Sequence, residues 1–237
     1  MENQQRMYTK KRLVILDADG TTIDAFSAIA RTFSQHDMNL GDLTRFQKRH
    51  NLFKYLGGVK EFPKNLRKQL TKVERNKLID TLTAVYREEA RLYPGMTEMV
   101  NRLTATPDVV VGIVTRNITQ EPEVTLKQLF KREKVDIDNL DFLLHVPLKE
   151  KKTAIFEKLR DKYKLNPALC YVCGDEYKDY ISAVSAAMHP MIVSYGFESF
   201  ERLTEKYEIP HAIISRQPND LTQRLVHALY SCNGAAA

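Results

Sequence analysis

The stretch from Leu13 to Thr22 constrains this chain more than any other, because four apolar residues, Leu13 to Leu16, run straight into Asp17, Asp19 and Gly20. An unbroken apolar run of this length, closed by a turn signal, reads as a strand buried on both faces in a parallel sheet covered by helices. Side chains alternate along an extended chain, so Asp17 and Asp19 share a face. The glycine permits a sharp turn that aims both at the carboxyl edge of the sheet. Two like charges so close need a cation beside them. Mg2+, which prefers carboxylate, carbonyl and water oxygens, suits the pair.

Three further runs have the same character: Val109 to Val114, Tyr171 to Cys173 and Met191 to Ser194. Around the Tyr171 run, Ile155, Phe156, Leu159 and Tyr163 recur near a 3.6-residue period on one side, and Ile181, Val184 and Met188 on the other. Both sets are expected to lie on helices and face the sheet. Strands alternating with helices predict an α/β fold with a parallel sheet, whose strand ends open on one crevice. The Val109 run leads into Thr115, Arg116 and Asn117, and the Tyr171 run into Gly174, Asp175 and Asp179. Carboxylates, a hydroxyl and backbone amides are therefore expected to converge there.

Between Asp24 and Pro94 the pattern changes to polar segments with apolar residues at helical spacing, such as Leu78, Leu82, Val85 and Tyr86. This predicts a helical insert, and Pro94-Gly95 marks its exit before an amphipathic stretch carrying Met99, Val100 and Leu103. The 237-residue chain has a formal net charge of +6, and residues 45–77 hold eleven lysines and arginines against Glu61 and Glu74. A solvated helix face accounts for such a run; a lid that attracts an anionic substrate is the sharper reading. A nucleic-acid surface fits less well, since Phe53, Tyr55 and Phe62 are not interleaved with the basic residues in RNA-binding fashion and read as core of the insert.

Three cysteines, Cys170, Cys173 and Cys232, are too few and too odd in number for a disulfide framework. They fit a reducing compartment, with Cys170 and Cys173 as core thiols rather than metal ligands. Near the N terminus the longest apolar run is Leu13 to Leu16, too short for a leader or a membrane span, so a soluble cytoplasmic protein with no membrane partner is expected. His36, His50 and His145 lack the spacing of a metal pair and read as surface or loop residues.

These segments resemble the haloacid dehalogenase superfamily, and within it the phosphoglycolate-phosphatase-like members that carry a helical cap after the first motif. Asp17-x-Asp19-Gly20-Thr21 looks like the first motif, the apolar strand with Thr115 like the second, and a lysine opening a helix like the third. Gly174-Asp175-x-x-x-Asp179 looks like the fourth. Leu92-Tyr93-Pro94-Gly95 is similar to the cap exit, and Tyr195-Gly196-Phe197 with Leu203 and Ile213-Ile214 to the final strands.

The resemblance implies a Rossmann-like three-layer α/β/α core of residues 1–24 and 94–237, with a smaller α-helical cap of residues 25–93. It further implies a phosphatase acting on a small phosphorylated substrate. Asp17 would be the nucleophile and Asp19 the acid and then the base. Mg2+ would be held by Asp17, Asp19 through its main-chain carbonyl, and Asp175, with Asp179 as a further ligand or an orienting group. Thr115 and a lysine would bind the phosphoryl oxygens. Gly20, Thr21, Arg116 and Asn117 fall on the substrate side. Lys152 has the favoured spacing for the third-motif lysine, with Lys149 and Lys151 as alternatives. Dehalogenases of the superfamily lack an acid two residues after the nucleophile, so Asp19 favours a phosphatase. Phosphonate hydrolysis and phosphomutase activity are compatible with the same first motif, and a nucleic-acid end-processing protein using the basic cap is the alternative from another class.

Overall fold

The structure, a computed structural model, describes residues 11–48 and 72–230. Strand β1 (Arg12–Leu16) lies inside a parallel sheet with β2 (Val109–Thr115), β3 (Phe142–His145), β4 (Cys170–Gly174), β5 (His189–Val193) and β6 (Ile214–Ser215). The six strands run in the order β3-β2-β1-β4-β5-β6, and every pairing is parallel. The four apolar runs of the sequence are all strands. His145 is not a loop residue: it ends β3, opposite Thr115 on β2. β3 escaped the apolar pattern because it is a four-residue edge strand in which only Phe142 is buried.

The pleat of β1 divides the core into two faces. Val14 and Leu16 point to one cluster, which holds Met99, Val100 and Leu103 of α4 (Met96–Thr104), Leu126, Leu129 and Phe130 of α5 (Pro122–Arg132), and Leu221, Leu225 and Leu229 of α8 (Pro218–Tyr230). Leu13 and Ile15 point to the other, with Phe156 and Leu159 of α6 (Thr153–Lys162) and Ala183 of α7 (Tyr177–Ser185). Each such fully buried Leu or Phe contributes roughly 1.5–3 kcal/mol. The result is a three-layer α/β/α arrangement.

Helix α7 departs from its expected orientation. Its apolar Ile181 and Val184 are 39% and 49% exposed, and the inward face is Asp179, Ser182 and Ala183. Small residues let this helix lie close to the sheet, and that close approach turns the larger side chains outward. Cys170 and Cys173 are both free and buried, but they belong to opposite faces of β4, so they share no ligand position. Burial pushes the Cys170 thiol up to about 12, as suits an inert core residue. Among the described residues no helix is long and apolar enough to cross a membrane.

Between β1 and α4 the chain forms α1 (Ala25–Ser34), α2 (Leu43–Lys48) and α3 (Lys72–Glu88). Asp24 caps α1, its carboxylate accepting the Ser27 amide at 3.1 Å. Ile29, Phe33, Phe46, Leu78 and Leu82 extend the cluster beneath Val14 and Leu16. The C-terminal end of α3 is tied to α5, because the Arg132 guanidinium donates to the carbonyls of Tyr86, Arg87 and Ala90. That satisfies carbonyls left open at a helix end and places positive charge where the helix dipole favours it. Most of the basic stretch at residues 45–77, with Phe53, Tyr55, Phe62 and His50, lies outside the described residues, as does Cys232.

Candidate active site

The strand register brings the candidate residues to one edge. Leu16 pairs with Ile113 on β2 and Cys173 on β4, so Asp17 leaves the sheet level with Val114 and Gly174. The Asp17 amide donates to the Cys173 carbonyl at 2.9 Å, which carries the pairing one residue past the strand. Gly20 then turns with φ +78°, and a Cβ there would lie 2.1 Å from Oδ2 of Asp175. A Cβ on Gly196 would meet the same oxygen at 2.4 Å. Only glycine at both positions lets the first turn and the loop after β5 close around Asp175.

Three carboxylates, those of Asp17, Asp175 and Asp179, offer oxygens that all lie within 4.8 Å of one another. Asp175 is fully buried; its Oδ2 accepts the Phe197 amide at 2.6 Å, while Oδ1 is buried with no hydrogen-bond partner. Burial, with the charge of Asp17 next, holds its carboxyl well above the usual range. Burial likewise pushes Asp17 up to about 7; the nearby Lys152 pulls the other way, and Asp179 and Asp19 add to the rise. An orphaned buried oxygen among crowded carboxylates is a donor set that a hard divalent cation fits.

Lys152 is the one lysine of the cluster at 149, 151 and 152 that enters this group. Its ammonium is 3% exposed and lies 2.8 Å from Oδ1 of Asp17 and 2.8 Å from Oδ1 of Asp179. Burial opposes its charge, but the two aspartates outweigh it and raise its affinity for the proton. Lys149 and Lys151 are exposed. Asp179 is occupied on both sides, since its Oδ2 accepts the Glu176 amide at 3.2 Å near the start of α7.

Asp19 stands apart from the three-carboxylate group. Its Oδ1 accepts the Tyr86 hydroxyl at 2.7 Å, and the Asn117 amide donates to both oxygens at 3.1 and 3.0 Å. Burial raises Asp19 to about 6, and the Tyr86 and Asn117 hydrogen bonds limit the rise. The carboxamide of Asn117 is thus engaged with Asp19 and not directed at a substrate, and its carbonyl accepts the Thr119 amide at 2.9 Å. Thr115 is fully buried, its hydroxyl accepting the Asn117 amide at 3.1 Å. Thr21 is also fully buried and does not line the cleft, because the turn after Gly20 folds it against Tyr195, whose hydroxyl donates to the Thr21 carbonyl at 3.0 Å.

The cleft itself is lined by Asp17, Asp19, Lys152, Asp175 and Arg116, together with Phe46, Leu148, Glu176, Lys178 and Phe197. Phe46 comes from α2 and packs on Phe197 with ring centroids 5.6 Å apart, while Gln47 beside it donates to the Gly196 carbonyl at 2.7 Å. Sequence reasoning took Tyr86 for an apolar helix residue and did not single out Phe46, Glu176 or Lys178. Tyr86 and Phe46 acquire their places through contacts distant along the chain, whereas Glu176 and Lys178 come with the turn between Asp175 and Asp179, at positions the motif leaves open.

A six-stranded parallel sheet with helices on both faces and a cluster of carboxylates at its carboxyl edge places the chain in the Rossmann-like α/β class. The sequence profile of the haloacid dehalogenase-like hydrolases matches residues 11–187, and the chain belongs to that family. Among solved structures it is similar to a haloacid dehalogenase-like family hydrolase from Streptococcus pneumoniae, with a TM-score of 0.63 and 16% identity over 91% of this chain and 98% of that one. It is also similar to a "predicted phosphoglycolate phosphatase" from Haemophilus somnus, with a TM-score of 0.63 and 22% identity over 92% and 99% of the two chains. A third is a "predicted phosphatase" from Clostridium acetobutylicum, with a TM-score of 0.59 and 16% identity over 92% and 100%. At these identities the likeness establishes the fold. A search of curated proteins returns no match.

Proposed function

We propose that the protein is a Mg2+-dependent phosphatase that hydrolyses a small phosphorylated metabolite through an aspartyl-phosphate on Asp17. The observation that carries this reading is the ion pair of Lys152 with Asp17, 2.8 Å long, beside two further buried carboxylates. The phosphatase descriptions of the structural relatives from Haemophilus somnus and Clostridium acetobutylicum support it.

In this reading the Asp17 carboxylate attacks phosphorus and the ester P–O bond breaks. Asp19, at about 6, donates its proton to the leaving oxygen, then removes a proton from the water that attacks the aspartyl-phosphate. Orthophosphate leaves and Asp17 is restored. Asn117 and Tyr86 fix the Asp19 carboxylate for both proton transfers. Lys152 and the main-chain amides around Asp17 hold the equatorial oxygens as charge shifts in the transition state. Asp17, Asp175 and the Asp19 carbonyl would hold Mg2+, with Asp179 orienting Lys152; the ion supplies charge neutralisation between the carboxylates and the phosphoryl group. Residues 25–93 act as the cap, with Phe46 over the cleft excluding water.

The test is phosphate release by the purified protein from a panel of phosphorylated metabolites with Mg2+, with EDTA, and after Mg2+ is restored. Turnover that needs the cation and disappears in Asp17→Asn supports the reading. Full turnover without metal, or in Asp17→Asn, contradicts it.

A further inference from the structure

The catalytic cleft does not end at Lys152. Arg116, Leu148 and Lys178 line it and also line a groove of about 460 Å³ between the loop after β3 and the outer face of α7. That volume is within the range of small-molecule sites. Lys149 and Lys151 stand on one side of the groove, and Ile181, 39% exposed, on the other. Among the described residues none of Arg116, Lys149, Lys151 and Lys178 forms a salt bridge, although Glu150 lines the groove and Glu176 the cleft beside it. Arg116 Nε, at the junction, is buried with no hydrogen-bond partner. Within the groove four cations stand against the carboxylate of Glu150 and leave it positive, with Leu148 and Ile181 as apolar parts of its lining.

We propose that this groove is a second anion subsite, so that the substrate is a small molecule with one phosphate at Asp17 and another held by Arg116, Lys149, Lys151 and Lys178. The inference rests on the phosphatase reading for the first phosphate. It assigns recognition of the second to the sheet domain itself, on the α6 and α7 side. The outward-turned Ile181 then has a use, as the wall along which the carbon skeleton between the phosphates lies.

Fructose 1,6-bisphosphate serves as the two-phosphate probe and fructose 6-phosphate as its one-phosphate control. Binding of each is measured calorimetrically with Mg2+ in Asp17→Asn, with and without the added substitutions Lys149→Gln, Lys151→Gln and Lys178→Gln. The three lysines are exposed, so their replacement is compatible with folding. The bisphosphate is expected to lose about tenfold in affinity, as three partly screened charge contacts imply, while the monophosphate changes by less than about twofold. In the enzyme with Asp17 intact, Lys149→Gln together with Lys151→Gln, which line the groove and not the catalytic cleft, leaves kcat and KM for p-nitrophenyl phosphate unchanged. Equal loss for both sugars, no loss for either, or failure of the parent to bind the bisphosphate more tightly than the monophosphate overturns the subsite. Absence of phosphate release from every ester by the unmodified protein defeats the phosphatase reading alone, because the binding comparison does not depend on turnover.

Discussion

The hydroxyl of Tyr86 on α3 donates a 2.7 Å hydrogen bond to Oδ1 of Asp19, joining the last turns of the inserted helices to the turn that follows β1. Arg132 on α5 holds the carbonyl of the same tyrosine at 3.2 Å, so the phenol is anchored from the sheet side as well. The carboxylate proposed to handle both protons is thereby positioned by a residue 67 places away. Tyr86→Phe removes the donor and keeps the packing. Because that hydrogen bond favours the ionised form, its loss raises the Asp19 pKa from about 6. The limb of the pH profile on which the acid must be protonated is expected to move to higher pH, by about one unit at most. A profile of kcat/KM against pH that is superimposable on the parent's would remove Tyr86 from the environment of the acid.

Asp19→Ala separates the two roles of this residue. Alkyl phosphates need protonation of a poor leaving group and are expected to lose about 10²–10⁴ in kcat. p-Nitrophenolate departs with little help, so that substrate suffers less in the first step. Hydrolysis of the aspartyl-phosphate then becomes slow, giving a burst of p-nitrophenol near one equivalent per enzyme. Rapid-mix kinetics on both substrates, with circular dichroism for folding, decide it. Equal losses without a burst would assign Asp19 to positioning of the cation.

The buried carboxylates make the stability of the metal-free protein depend on pH. Asp17 is raised to about 7 and Asp175 is raised as well, so the folded state binds more protons than the unfolded state between the ordinary carboxylate range and about pH 7. Stability is therefore present at acid pH and falls as pH rises through that window. Mg2+ competes with those protons, and its stabilising effect grows in the same direction. Thermal melts at pH 5 and pH 8, with EDTA and with Mg2+, should show a Tm that falls toward pH 8 without metal and a larger metal-induced rise there. Asp175→Asn should reduce both effects. A melting temperature that rises with pH in EDTA would contradict the arrangement.

Lys152→Met tests the ion pair itself. Removing one partner leaves Asp17 and Asp179 buried without their cation, a loss of about 3–5 kcal/mol in stability. Denaturant unfolding measures it, and phosphate release should be abolished in whatever fraction folds. Lys152→Met with parental stability would mean that water reaches both carboxylates freely.

Much of the fold was legible because it is written locally. The apolar runs at Leu13, Val109, Tyr171 and Met191 are strands since continuous burial needs continuous apolarity, and the turn at Gly20 needs the one residue that tolerates φ +78° beside Asp175. β3 was not legible, because a short edge strand buries one residue in four. The outward turn of Ile181 and Val184 was misread because helical spacing says which residues share a face and not which neighbour that face meets.

The sequence by itself determined that carboxylates would gather at the carboxyl edge of a parallel sheet, since strand direction and chain order carry Asp17, Asp175 and Asp179 there together. Tertiary structure decided which lysine joins them. Lys149, Lys151 and Lys152 are alike as side chains, and only packing at the start of α6 buries Lys152 between Asp17 and Asp179 and leaves the other two in the groove beyond. It also decided that Tyr86 and Asn117 hold Asp19. Hydrogen bonds between residues 67 and 98 positions apart depend on where helices dock, and docking depends on the shape of the whole core, which no local spacing records.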